Sequence, residues 1–239
     1  MSIVISMWSG PRNISTTMMR AFANRAGAAA IDEPFYAAYL KRTGAGHPYR
    51  EETLNACPNE FDGVLGRIAG ATGAPLLFLK HIAYHLPPDI DLSFLDGWRN
   101  FLLIRDPRAM VASFADKFDD VMPIVRSYEV ALDIFNHLAA RRLPCPVVDA
   151  ADILGAPEPV LRSLCAALGI GFDAGMLAWP RGPRPEDGPW APHWYEAVRA
   201  SGGFKPVVEK KLTLSNDLEA VAALAAPAYR TLWARRLTA

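Results

Sequence analysis

The chain has 239 residues, 51% of them hydrophobic, which is enough to bury a sizeable core, and its 25 basic and 25 acidic side chains cancel. That balance excludes attachment to nucleic acid or to a membrane surface through an overall field, so any anion site has to be local. With no basic leader followed by a cleavable apolar segment, and no run of about 18 apolar residues, the expectation is a soluble cytoplasmic protein folded as one α/β domain over residues 1–239.

In chain order, Ile3, Val4, Ile5, Met7 and Trp8 form an apolar run that predicts a strand. Ser9-Gly10-Pro11-Arg12-Asn13-Ile14-Ser15-Thr16-Thr17 follows, then a helix from Ser15 to Arg25 with Met18, Met19 and Phe22 at helical spacing and Gly27 as its stop. A helix start carries unpaired N–H groups and partial positive charge, so a loop bringing Arg12 and three hydroxyls there makes a seat for phosphate or sulfate. The loop is neither G-x-x-x-x-G-K-[ST] nor G-x-G-x-x-G. Taken by itself it also reads as a plain N-cap.

Ala28 to Ile31 predict a short second strand ending at Asp32-Glu33-Pro34, which puts Glu33 at a strand end. Residues 43–58 are turn-rich and read as a surface excursion, and Phe61 to Ala71 as a helix. Leu76-Leu77-Phe78-Leu79 suits a buried parallel strand that terminates in Lys80-His81. Phe101 to Ile104 is a second such run, ending at Arg105-Asp106-Pro107-Arg108; Asp106 is a natural N-cap and Pro107 a natural first residue for a helix through about Lys117. A long amphipathic helix over 124–142, a short strand at Pro146-Val147-Val148 and a helix from Glu158 to Leu168 closed by Gly169 come next. Residues 171–190 read as irregular loop and Leu218 to Leu237 as a closing helix. Cys57, Cys145 and Cys165 are isolated, without metal-ligand spacing, and read as buried thiols.

Strands alternating with helices predict a three-layer α/β/α fold around a mainly parallel sheet, and such sheets bind ligands beyond the carboxyl ends of their strands. Ser9 to Thr17, Glu33, Lys80-His81 and Arg105 each follow an apolar run, so four segments converge on one crevice if their strands are neighbours.

With Pro11-Arg12 through Ser15-Thr16-Thr17 after the first strand, and Arg105 followed by Ser113 after an apolar strand, the chain resembles the sulfotransferase superfamily. The motifs cover residues 1 to 120, and the architecture extends the likeness to Gly169. The resemblance implies a P-loop NTPase-like fold and 3′-phosphoadenosine 5′-phosphosulfate as co-substrate. It places Arg12, Asn13, Ile14, Ser15, Thr16 and Thr17 around the 5′-phosphosulfate and Arg105 and Ser113 on the 3′-phosphate. Two features depart from the family pattern. Asn13-Ile14 stands where the family often has Ser-Gly, which bears on how tight the loop is. The late Arg-Lys-Gly segment is missing, and Gly202-Gly203-Phe204-Lys205 is either its substitute, with Lys205 as the cation, or a glycine pair ending a helix.

The reaction so implied moves a sulfuryl group to a hydroxyl or amine of a small-molecule acceptor, without a metal. It needs in-line positioning, stabilisation of charge on the departing phosphate oxygen and removal of a proton. Arg12 and the helix start serve the second need. Lys80 either bridges the sulfate or leaving oxygen, or only reaches solvent. Glu33 is the first candidate base, similar to the catalytic glutamate that tyrosylprotein and some bacterial carbohydrate sulfotransferases place after their first helix. His81 is the second, by likeness to the Lys-x-His of cytosolic members, although adjacent residues on a strand face opposite ways. His47 and His85 read as structural or surface residues. Trp190, His193, Trp194 and Tyr195 form an aromatic cluster that either packs a helix start or closes over an acceptor. A nucleotide-dependent kinase, with a Mg²⁺ site built from Thr17 and an acid, and a non-catalytic nucleotide-binding protein are the competing readings.

Overall fold

The computed structural model describes residues 2–71, 73–206 and 212–238. The first strand, β1 (Ile3–Ser9), leads through the hydroxyl-rich loop into α1 (Ser15–Ala23) and β2 (Ala28–Asp32). Three helices follow, α2 (Tyr36–Thr43), α3 (Arg50–Ala56) and α4 (Phe61–Gly70), before β3 (Leu76–Ile82). Then come β4 (Arg99–Ile104), α5 (Pro107–Ala115), α6 (Met122–Ala140), β5 (Val147–Asp149), α7 (Ala150–Gly155) and α8 (Pro157–Ala167). Two single-turn helices, α9 (Ala191–Trp194) and α10 (Glu196–Arg199), precede the closing helix α11 (Asn216–Trp233).

The strands form one parallel sheet in the order β2-β3-β1-β4-β5. The chain leaves β1 toward one edge and later passes from β3 to β4 on its other side, so the order reverses at β1, and a crevice opens there beyond the strand ends. Strand alternation sorts the apolar side chains into two cores. Ile5, Met7, Phe78, Phe101 and Leu103 face α1 and α8, meeting Met18, Phe22, Leu161 and Leu164. Trp8, Leu77, Leu79, Leu102 and Ile104 face the other way, onto α4, α5, α6 and α11. This is the three-layer α/β/α arrangement, with helices on both faces of the sheet.

Several local expectations meet the structure directly. Asp106 caps α5 by accepting from the N–H groups of Arg108 and Ala109, and Pro107 opens the helix. Gly169 ends α8 at φ 65°. Elsewhere the boundaries move. The excursion at 43–58 contains α3, whose Arg-Glu-Glu-Thr-Leu run has good helix propensity hidden between turn residues. β3 does not stop at Leu79, because Lys80 and His81 are both buried within it. α11 starts earlier than Leu218, where the Ser215 hydroxyl accepts from the Leu218 N–H, and it ends at Trp233. Cys165 is buried, whereas Cys57 and Cys145 are only half-buried, which corrects the reading of all three as buried thiols. Among the described residues no helix is long and apolar enough to cross a membrane.

Phe78 stacks on Phe22 with ring centroids 4.3 Å apart and is fully buried on β3, between β2 and β1. Truncation in Phe78→Ala is expected to cost about 3–5 kcal/mol. Thermal unfolding should then fall by on the order of 10 °C, at roughly 2–4 °C per kcal/mol for a chain of this size.

Candidate active site

The loop after β1 turns sharply into α1 by holding two non-glycine residues in the left-handed region, Arg12 at φ 59° and Ile14 at φ 47°. Each such residue costs about 1–2 kcal/mol, and strain of this kind persists only where the surroundings enforce it. Here the enforcement comes from Asn13, which is buried and donates from Nδ2 to the Leu103 carbonyl at 2.5 Å, tying the loop to β4. Ile14 therefore holds the left-handed turn that a glycine would adopt without strain. It caps α1 without a side-chain hydrogen bond, and the first turn of the helix carries no acidic residue. The resulting helix start is short of negative charge.

Two guanidinium groups face that start. Arg12 Nε donates to Ser113 Oγ at 3.0 Å, and Arg105 Nη1 donates to the Arg12 carbonyl at 2.6 Å. β4 delivers Arg105 and α5 delivers Ser113, as expected from the sequence. The Arg105 backbone is braced by Tyr128 of α6, whose hydroxyl bonds both its N–H and its carbonyl. Among the described residues neither arginine has a carboxylate partner. Burial, and next the neighbouring charge of Arg12, lower the Arg105 pKa. Like charges held together without a counter-ion form a seat for an anion.

A second cluster lies beside the first. Lys80 Nζ, buried at the end of β3, donates to Asp32 Oδ1 at 2.8 Å, Glu33 Oε1 at 2.5 Å and the Tyr195 hydroxyl at 2.6 Å. Tyr195 in turn donates to Asp32 Oδ2 at 2.6 Å and accepts from Trp190 Nε1 at 3.2 Å. Burial alone would lower the Lys80 pKa, but Asp32 and Glu33 outweigh it and hold the ammonium well above its ordinary value. Burial raises Glu33 above the usual carboxylate range, Lys80 opposes that and Asp32 adds to it. Glu33 also sits at φ 39°, its backbone pinned by an N–H bond to the Lys80 carbonyl at 2.8 Å. Asp32 is fully covered and structural; Glu33 keeps 12% of its side chain exposed.

One cavity of about 410 Å³ joins both clusters. It is lined by Arg12, Asn13, Ile14, Ser15, Thr16 and Thr17, by Glu33 and Lys80, by Arg105 and Ser113, and by Lys205, so the structure brings together every predicted site residue except one. The exception is His81, whose proposed role as base is corrected. Strand alternation sends it to the far face of the sheet, where it stacks on Trp8 at 3.9 Å, with no partner on either ring nitrogen among the described residues. Burial, and next Lys80, push its pKa well below the ordinary value. Lys205 is exposed at the rim; the glycine pair before it does not end a helix but passes Trp179 and Ala178, with Gly203 bridged to Ala178.

Sequence reasoning missed several residues that line or brace this cavity. His85 and His47 are not remote: both line it, and His47 Nδ1 lies 2.9 Å from the Tyr36 hydroxyl. Tyr36 and Tyr84 add to the wall, and Tyr195 reaches Lys80 from 115 positions along the chain. Only the aromatic cluster at 190–195 left a trace in the sequence. Its place is fixed by burial of Trp190 and Tyr195 and by charge: Arg20 of α1, fully buried, bonds Glu186 at 3.0 Å and Asp187 at 2.5 Å, fastening the preceding loop onto α1.

The family model described as "Sulfotransferase domain" matches residues 1–236. Among curated proteins, branched-chain-amino-acid aminotransferase-like protein 2 of Arabidopsis thaliana is 38% identical over 202 residues, which is 84% of this chain and 36% of that protein. The chain thus spans about a third of the length of the curated relatives it matches. Among solved structures, the sulfotransferase domain from the Synechococcus PCC 7002 olefin synthase covers 94% of both chains at a TM-score of 0.58 and 18% identity. A sulfotransferase from Alicyclobacillus acidocaldarius covers 100% of this chain and 98% of its own at 0.57 and 11% identity. At these identities the structures establish a shared fold.

Removing the ammonium at the centre of the second cluster leaves two buried carboxylates facing each other. Lys80→Met is expected to cost about 3–5 kcal/mol near neutral pH. The variant's penalty should shrink on acidification, as protonation discharges the pair, and thermal melts at about pH 8 and about pH 5 compare the two regimes.

Proposed function

Because the chain belongs to the sulfotransferase family and is thereby an enzyme of the transferase class, we propose that it moves a sulfuryl group from 3′-phosphoadenosine 5′-phosphosulfate to a hydroxyl or amine of a small molecule. The observation that carries this reading is the pair Arg12 and Arg105, without carboxylate partners among the described residues, beside a helix start with no capping side chain and no acid. A dianionic group fits such a place and a neutral one does not. In this reading the Ser15, Thr16 and Thr17 end of α1 and Arg12 hold the 5′-phosphosulfate. Arg105 and Ser113 hold the 3′-phosphate, and Lys205 approaches from the rim.

Glu33 acts as general base, taking the acceptor proton while the acceptor O–S or N–S bond forms and the S–O bond to the 5′-phosphate breaks. Lys80 holds one oxygen of Glu33 at 2.5 Å, orienting it, and in this reading its buried charge favours the departing phosphate oxygen through space, without a direct hydrogen bond. Asp32 and Tyr195 keep Lys80 in that position. The raised Glu33 pKa follows first from burial, so Glu33 needs a pH above the ordinary carboxylate range to become the base. No residue set for a metal is part of the proposal.

Thermal unfolding with 3′,5′-adenosine bisphosphate, ATP, and ATP with Mg²⁺ tests the nucleotide. Stabilisation by the bisphosphate alone is expected, by about 2.7 kcal/mol at ~100 times its dissociation constant, and Arg105→Ala should remove it. Stabilisation only by Mg²⁺ with ATP would favour a kinase instead.

Glu33→Gln is expected to lower transfer by ~10²–10⁴-fold while bisphosphate affinity persists. The wild-type rate should rise with pH along a limb set above the ordinary glutamate value of about 4.3, and the limb should vanish in the variant. A variant rate equal to wild type would remove Glu33 from the role.

A further inference from the structure

The two ends of the cavity differ in chemistry. Around Arg12, Arg105 and the start of α1 it is cationic, whereas Tyr36, Tyr84, His85, Phe118, Trp190 and Trp194 wall the other end with rings. Glu33 and Lys80 stand between the two.

At the ring-lined end one buried polar atom has nothing to bind. His85 is 3% exposed, and its Nδ1 has no hydrogen-bond partner among the described residues. A buried polar atom left unpaired is costly and asks for a reason. Nδ1 lies 3.9 Å from Glu33 Oε2, too far for a hydrogen bond between them. One oxygen between them would stand at about 2.8 Å from each once the neighbouring rings give way to admit it, since Nδ1 itself is closed to solvent. The other oxygen of Glu33 is already held by Lys80. The imidazole is held by ring packing, against Tyr36 at 4.9 Å and 19° and Tyr39 at 4.8 Å and 29°.

Among the described residues the wall at this end of the cavity offers no unpaired charge. Burial, and next His47, hold the His85 pKa well below the ordinary value, so the ring is neutral. Burial likewise keeps Tyr36 and Tyr84 protonated. Lys80 is saturated by Asp32, Glu33 and Tyr195. Among the described residues an anionic acceptor would find no counter-ion at this end, and a sugar would bury several hydroxyls against rings. Phe118 and Trp194 stack at 5.3 Å and 24°, giving a flat apolar surface.

We propose that the gap between Glu33 Oε2 and His85 Nδ1 seats the acceptor hydroxyl, and that the acceptor is an uncharged, ring-bearing alcohol lying against the aromatic wall. The hydroxyl donates to Glu33 and accepts from His85 in the Nδ1-protonated tautomer, which leaves a lone pair to point toward the cationic end. His85 is thus a positioning residue that touches substrate. This inference rests on the reading of Glu33 as base.

Calorimetry on the protein saturated with 3′,5′-adenosine bisphosphate tests it, with 4-methylphenol, toluene and methyl glucoside as probes. 4-Methylphenol should bind about ten-fold more tightly than toluene, the worth of one good hydrogen bond to a buried partner, and methyl glucoside should not bind. His85→Phe keeps the ring packing and removes the nitrogens. It should shrink the preference for the hydroxyl to about two-fold with bisphosphate affinity unchanged. His85→Gln, which retains a donor, should keep part of the preference and serves as the second variant if His85→Phe does not fold. Equal affinity for 4-methylphenol and toluene, an undiminished preference in the variant that folds without a donor, or glucoside binding in place of the phenol would overturn the inference while bisphosphate binding still stands. Absence of bisphosphate binding in the wild type would sink the donor reading and this inference with it.

Discussion

The buried ammonium of Lys80 is the constraint on which the site depends. A charge with 1% exposure is tolerated only when paired and hydrogen-bonded. Lys80 meets that demand with three oxygens, from Asp32, Glu33 and Tyr195, that come from two different parts of the chain. The consequence is architectural. β3 and the end of β2 are locked in register at their carboxyl ends, and the C-terminal segment has a docking point on the sheet. It is also chemical, because the ammonium divides two neighbouring carboxylates into different roles. Asp32 spends both oxygens inside the cluster, while Glu33 keeps one toward the cavity.

The arginine end inverts this logic. There, among the described residues, the cations are left without carboxylates, and the backbone is held in an unfavourable region by Asn13 and the packing under α1. Strain and uncompensated charge are both unfavourable for the protein standing alone, and both are relieved or balanced by an anion of the right shape. Two adjacent clusters, one saturated and one unsaturated, thus give a single cavity a direction. An anion is attracted to the arginine end, and a neutral group is tolerated at the other.

Much of this was legible because strand ends in a parallel sheet are few and converge. Arg12, Glu33, Lys80 and Arg105 each follow an apolar run, and the sheet order makes those runs neighbours. Alternation also separates Lys80 from His81 without any structure. What sequence reasoning missed came from packing over long separations. His85 lies in a single turn after β3, and nothing in Ile-Ala-Tyr-His announces that Tyr36 and Tyr39 will pack against its ring. Tyr128 braces Arg105 from the middle of a helix whose pattern reads as ordinary core. α3 was hidden by its turn-rich surroundings, where short-range propensity loses to composition as a signal.

The stretch from residue 171 to 206 was the least readable, and its physics explains why. It has little regular structure to leave a period, so its place is set by scattered buried rings, Trp179, Trp190 and Tyr195 among them, together with specific ion pairs. Arg20, buried beneath it, takes Glu186 and Asp187; Arg184 and Arg199 return to the same two acids at 3.4 and 3.2 Å. Removing one partner from such a network is more damaging than the network is stabilising, because the remaining charges stay buried. The segment is therefore held firmly in one position, and that position puts Trp190 under Tyr195 and Tyr195 against Lys80. The ring wall and the charge cluster are in this way two ends of one fastening. A substitution in the arginine–acid network would reach the cavity through Tyr195, without touching any residue that lines it near the arginines.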